Sequence, residues 1–281
     1  MAQRVRLSSL LTLFSLTGLD KHPKLIATSV DEILGNWNHG NLDRMKIHNI
    51  DQLLKLICDI VGTGGDGHSL LTSTTEAIVA AGAGLKVCKH GNQALSSASG
   101  LADLLITLGI PLDRLTPQQV LTLVKDPETD FSFLFSQTFY LIFKKLGPIR
   151  KLLGFPTIFN RLGLDEISTS GPTSLWKLNE KDGTVENLEL DPVKSFGLRY
   201  HPMEQLITKD PKDSLKTLDL LLDHSNNQNF GDDINQIAKL DFVLINASAL
   251  LVLGSSAKDY KQGIELAREI IRSGRAREAI E

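Results

Sequence analysis

Leu56-Ile57-Cys58-Asp59-Ile60-Val61-Gly62-Thr63-Gly64-Gly65-Asp66-Gly67 is the stretch on which the reading of this chain turns. A short apolar run with β-branched residues ends in four glycines within six positions. That pattern predicts a buried strand feeding a glycine-rich loop. Ser73-Thr74-Thr75-Glu76 follows, and Ser73 with Glu76 has capping-box spacing, so a helix is expected to start there. Residues 85–88 form a second short apolar run, closed by Lys89-His90-Gly91-Asn92 as a second polar loop. Ser96-Ser97-Ala98-Ser99-Gly100 then precedes a helix expected at 101–108. Strand, loop, helix, strand, loop, helix is the alternation of a parallel α/β sheet.

Outward from this core the signals are mostly helical. Leu7, Leu10, Leu11, Phe14 and Leu16 fall near helical spacing, and Ile26, Val30, Ile33 and Leu34 continue it. The first nineteen residues hold two Arg and no acid, as transit peptides do, but the periodicity favours an amphipathic helix and a cytoplasmic address. Thr116 and Pro117 predict a capped helix over 118–124, and 131–135 reads as a strand. A helix is expected at 140–153, interrupted by Pro148. Short strands are expected at 166–170 and 174–178, with a turn or hairpin over 179–191. From about 210 the chain reads as helical, with an Asn-rich loop at 225–231.

Composition removes several functions. The 281 residues carry 30 Lys plus Arg against 33 Asp plus Glu, a net charge of −3, which disfavours a basic nucleic-acid binder. Aromatics are only 6%, too few for a single-strand stacking platform. The most apolar stretch, 242–253, contains Asn246 and Ser248 and reads as too short and too polar to cross a bilayer. Asn246 is expected to be a buried polar group with a packing role. Cys58 and Cys88 sit among aliphatics and read as small hydrophobes, since two cysteines make neither a disulfide framework nor a zinc site.

The loop at 62–67 lacks the dinucleotide glycine spacing and the Walker lysine. Glycines after a strand still let backbone N–H groups approach a phosphate, and the following helix N-terminus adds its dipole. The second loop offers Lys89, Asn92, Ser96 and Ser97 at the same carboxyl edge of the sheet, where α/β folds bind ligands.

Together these motifs resemble the anthranilate phosphoribosyltransferase family. Pro148-Ile149-Arg150, Leu153-Gly154, Thr157-Ile158-Phe159-Asn160, Gly163-Leu164-Asp165-Glu166, Gly171-Pro172-Thr173, Phe196-Gly197-Leu198, Asn246-Ala247 and Gly263-Ile264-Glu265-Leu266-Ala267 extend the resemblance from about residue 10 to the end. The resemblance implies a small helical domain, here residues 1–50, and an α/β phosphoribosyl-transfer domain over 51–281 with a mainly parallel sheet. It implies a homodimer, with the helical surface over residues 10–34 as its contact, and transfer of phosphoribosyl from phosphoribosyl pyrophosphate (PRPP) to the amine of anthranilate with Mg2+. Position by position, Gly65, Asp66, Ser73, Thr74, Lys89, Gly91, Asn92, Ser96 and Ser97 would hold PRPP. Gly62, Asn92 and Arg150 would meet anthranilate, Arg150 as a fork for its carboxylate. Ser73, Asp165 and Glu166 would face magnesium. His90 takes no acid–base role.

The chain departs from the family in several places. Leu70 and Leu71 stand where the family has Thr and Asn, Gln93 replaces an Arg, and Leu101 replaces a Ser. The Phe-Ala-Pro-x-x-His motif reads Phe135-Ser136-Gln137-Thr138-Phe139-Tyr140. Asn160-Arg161-Leu162-Gly163 runs directly into Leu164-Asp165-Glu166, so at least one βαβ unit, about 30 residues, is expected to be missing from the sheet. A binding protein descended from the family, or a pyrimidine nucleoside phosphorylase of the same architecture, is the rival expectation.

Overall fold

The computed structural model describes residues 2–22, 24–25, 28, 57–60, 73–92, 101–136, 148–149, 152–153, 166–178, 184–223 and 230–280. The N-terminal helix α1 spans Ala2–Thr17. Leu7 and Leu11 of this helix pack with Leu25, Ile149 and Leu153. The remainder of the expected N-terminal helices, residues 29–50, lies outside the described residues.

Three strands form a parallel sheet in the order β1-β2-β3: β1 (Ile57–Cys58), β2 (Lys86–Gly91) and β3 (Phe131–Phe135). Ile57 pairs with Lys86, and Val87 through Gly91 pair with Phe131 through Phe135. β1 is shorter than the apolar run suggested, since Asp59 and Ile60 have already left the ladder. β2 is longer: Lys89, His90 and Gly91 belong to the strand and not to a loop, because β3 extends the pairing through Gly91.

Between β1 and β2 runs α2 (Ser73–Ala81), all nine residues of it buried. The turn after it needs a positive φ at Gly84 (+82°), which glycine adopts without a Cβ penalty. Helices α3 (Leu101–Thr107) and α4 (Pro117–Lys125) join β2 to β3. At α4 the expected cap is present, with Thr116 Oγ1 accepting from Gln119 N and Gln119 Oε1 accepting from Thr116 N. Pro148, Ile149, Leu152 and Leu153 are helical, and the rest of the helix expected at 140–153 lies outside the described residues.

A two-stranded antiparallel hairpin follows, β4 (Thr173–Leu178) with β5 (Val185–Leu190). The strand expected at 166–170 is not there. Ile167 N donates to Asn246 Oδ1 at 2.8 Å, and Asn246 Nδ2 donates to Ile167 O at 3.2 Å, so this backbone is held by a side chain and not by a ladder. The carboxyl-terminal part is α5 (Pro192–Phe196), α6 (Pro211–Leu222), α7 (Ile234–Leu253), α8 (Tyr260–Arg272) and α9 (Arg275–Glu278).

The main core joins α2, α6, α7 and α8 around Ile78, Leu218, Leu244, Leu251 and Ile270. Each such fully buried Leu or Ile contributes about 1.5–3 kcal/mol. α8 crosses α7 at Gly263, where a Cβ would lie 2.4 Å from Ser248 Oγ. α7 is 20 residues long and apolar enough to span a bilayer, contrary to the expectation of a stretch too short and too polar. It is instead the central core helix, and its buried Asp241, Asn246 and Ser248 are hydrogen-bonded within the fold.

Candidate active site at the carboxyl edge of the sheet

The parallel register sends the ends of β1, β2 and β3 to one edge. Burial alternates along β2, so Val87, Lys89 and Gly91 face inward while Lys86, Cys88 and His90 are half-buried. Lys89 is therefore aimed at α2, and its side chain is fully buried. Its Nζ donates to Ile60 O just beyond β1 and, at 2.8 Å, to Ser73 Oγ at the start of α2. One ammonium thus ties strand end, helix start and second strand together.

The neighbouring groups complete the edge. Asp59 accepts from His90 N at 3.2 Å and from the His90 ring at Nδ1. Ser136 Oγ donates to Gly91 O at 2.7 Å and holds the end of β3 against β2. Asn92 follows Gly91, and its carbonyl accepts from Ala102 N, the second residue of α3. Glu166 is half-buried and acts electrostatically on Lys89 and Glu76.

Ser73, Thr74, Thr75 and Glu76 are all fully buried. The expected capping box is absent: Ser73 is already helical, and neither Glu76 oxygen has a hydrogen-bond partner among the described residues. Burial holds the Glu76 carboxyl well above the usual range, the Glu166 charge pushes it further, and Lys89 opposes both. Burial also pushes Lys89 down to about 8, against the pull of Asp59, Glu76 and Glu166. A desolvated ammonium in a dry site interacts more strongly with an incoming anion than a solvated one.

Of the residues expected to bind ligands, Ser73, Thr74, Lys89, Gly91, Asn92 and Glu166 are described, and Ser73, Lys89 and Glu166 come together. Gly62, Gly65, Asp66, Ser96, Ser97, Arg150 and Asp165 lie outside the described residues. Asp59 and Glu76 were not singled out by sequence. Asp59 falls inside the strand expected from the apolar run and emerges at the edge because β1 ends at Cys58, whereas the spacing of Glu76 to Ser73 reads as a local cap. Beside the Lys89 ammonium, the groups near Ser73 able to ligate a metal are oxygens, hydroxyl and carboxylate, which suits Mg2+. Among the described residues no group of three His, Cys, Asp or Glu forms a protein-only cage. Magnesium in phosphate sites is commonly held by one or two carboxylates plus substrate oxygens, so the donor set fits.

Comparison with known proteins agrees with this geometry. The chain matches the glycosyl transferase family, a/b domain, over residues 54–163 and 161–277, two stretches that meet at the junction where a segment is expected to be missing. It is 34% identical to anthranilate phosphoribosyltransferase of Schizosaccharomyces pombe, covering 98% of this chain and 85% of that one. That alignment spans 320 positions, more than the 281 residues here, so the relative carries segments without a counterpart in this chain. Among solved structures, the Saccharomyces cerevisiae enzyme in complex with PRPP and Mg has a TM-score of 0.76 at 29% identity, covering 99% of this chain and 83% of that one. The same enzyme with 4-fluoroanthranilate gives a TM-score of 0.75 at 28% identity, with the same coverage. With both halves of the sequence matched and the fold shared over nearly its whole length, the chain belongs to the anthranilate phosphoribosyltransferase family.

Proposed function

We infer that this chain transfers the phosphoribosyl group of PRPP to the amine of anthranilate, giving N-(5-phosphoribosyl)anthranilate and pyrophosphate. The observation that carries the reading is Lys89, a fully buried cation on Ser73 at the mouth of a parallel sheet, in a chain whose relatives bind PRPP with Mg. The reaction breaks the bond from the anomeric carbon to pyrophosphate and forms a carbon–nitrogen bond to the amine. The amine proton leaves as pyrophosphate departs. The protein's part is to position the reactants and stabilise the leaving charge.

In this reading Lys89 and the N-terminal dipole of α2 face the pyrophosphate. The loop residues Gly65 and Asp66 hold the donor from the β1 side, with Thr74 beside them. Gly91, Asn92, Ser96 and Ser97 form the opposite wall. Gly62, Asn92 and Arg150 hold anthranilate, Arg150 by a bidentate bond to its carboxylate. Ser73, Asp165 and Glu166 would hold Mg2+, which when bound neutralises charge on the departing pyrophosphate. The burial of α2 excludes water from this end of the site.

We further propose two domains, 1–50 and 51–281, a cytoplasmic location and a homodimer. The face of α1 that exposes Leu10, Leu13 and Leu16 supports the dimer. The activity is tested by following anthranilate fluorescence on adding PRPP and Mg2+ to folded protein, with Glu166→Ala alongside. Loss of fluorescence with turnover, abolished in the variant, is expected. A folded chain that consumes no anthranilate overturns the reading.

A further inference from the structure

Glu76 is a buried carboxylate to which the reaction described above gives no role. It is fully buried, and neither oxygen has a hydrogen-bond partner among the described residues. Such a group is costly to bury without a compensating partner. Within α2, Ser73 and Glu76 are three residues apart and share a face. Helical Cα–Cβ bonds tilt toward the N-terminus, which directs Glu76 toward the turn that carries Ser73. Ser73 in turn holds Lys89 Nζ at 2.8 Å, and both Lys89 and Glu166 act electrostatically on Glu76. The carboxylate thus shares a helix face with Ser73 and lies within electrostatic reach of Lys89 and Glu166, all three placed at the donor and cation site.

We propose that Glu76 is an additional protein carboxylate of the divalent-cation site, joining Ser73 and Glu166 around the magnesium ion that accompanies PRPP. This rests on the transferase reading of the same site. The ion supplies a second positive charge beside Lys89 and a direct partner for two carboxylate oxygens that have none among the described residues. Lys89 is then left to face phosphate.

The test is Mn2+ binding, read from the electron paramagnetic resonance signal of free Mn2+, with and without PRPP, in the wild type, Glu76→Gln and Glu76→Asp. Thermal unfolding in EDTA and in Mn2+ runs beside it. Glu76→Gln is expected to bind Mn2+ roughly tenfold or more weakly. It is also expected to unfold in EDTA at or above the wild-type temperature, because the cost of burying an unpartnered carboxyl group is gone. The rise in unfolding temperature on adding Mn2+ should shrink. Equal Mn2+ affinity in wild type and Glu76→Gln overturns the proposal and leaves the transferase reading intact. If Glu76→Gln does not fold, Glu76→Asp keeps the charge on a shorter arm, and wild-type Mn2+ affinity in that variant overturns the proposal equally. A wild type that binds no Mn2+ even with PRPP overturns both readings.

Discussion

Helices α7 and α2 are both buried in the same core and pack against each other, yet they differ in how their central polar groups are held. On α7 the buried Asp241, Asn246 and Ser248 are bonded within the fold, and the unpartnered buried oxygen among its described residues is Gln236 Oε1 in the first turn. Asn246 serves Ile167 N, Ile167 O and Phe242 O, Ser248 donates to Tyr260 O, and Asp241 holds His201 and Arg268. On α2, Thr75 Oγ1 and both Glu76 oxygens have no partner among the described residues. Satisfied polar groups specify packing, whereas the unpartnered ones on α2 lie beside the sheet's carboxyl edge, where α/β folds bind ligands.

The contrast is broken most forcefully at Asn246. Asn246→Ala leaves the Ile167 amide and carbonyl unpaired inside the core, and each buried orphan costs about 1–3 kcal/mol. Urea unfolding should show a loss of about 3–5 kcal/mol, a large fraction of the roughly 5–15 kcal/mol that holds a typical domain folded. A smaller loss than that of an average core substitution would show that the Ile167 segment repairs itself with water.

Lys89→Met attacks the other helix and should separate chemistry from stability. Removing one preorganised charge from a dry site lowers turnover about 10²–10³-fold. The unfolding temperature should move little, because a buried ammonium also carries a desolvation cost. A variant that loses stability but keeps turnover would reverse the roles assigned to the two helices. Asp241→Ala returns to α7. His201 Nε2, 2.8 Å away, and Arg268 lose their common acceptor, and a loss of about 2–3 kcal/mol in urea unfolding is expected with KM unchanged.

The smallest effect is at Asp191, outside both helices. Its carboxylate caps α5 through Val193 N and Lys194 N and accepts from Tyr200 OH. The Tyr200 bond first, then the backbone bonds, holds this carboxyl below its usual value. A carboxyl depressed by folding stabilises above its unfolded pKa, about 3.9, and that contribution is lost as pH falls through the lower folded value. Asp191→Ala should therefore lower the unfolding temperature slightly at pH 7, and the gap to wild type should close below about pH 4. A gap independent of pH would assign the effect to packing alone.

What the sequence made legible is what local chemistry decides. Thr116, Pro117 and Gln119 name their own capping box, and the aromatic run of β3 is bounded as expected. What it hid depends on partners far along the chain. β2 continues through Gly91 only because Phe135 lies beside it, 44 positions on. The 166–170 backbone stays irregular because Asn246, 79 positions after Ile167, takes up its hydrogen bonds. Glu76 was misread for the same reason: its spacing to Ser73 fits a cap, and only the tertiary fold shows both residues buried beneath Lys89. In the site itself, the motifs brought Ser73, Lys89 and Glu166 to attention, but not the acids Asp59 and Glu76 that set their electrostatics.

The most direct measurement is isothermal titration of the folded chain with PRPP, in Mg2+ and again in EDTA. If the unsatisfied end of α2 is a phosphoribosyl site, PRPP binds in Mg2+, binding is lost or strongly weakened in EDTA, and Lys89→Met weakens it further. No heat of binding in Mg2+, or the same affinity in both buffers with Lys89→Met indistinguishable from wild type, would contradict the account.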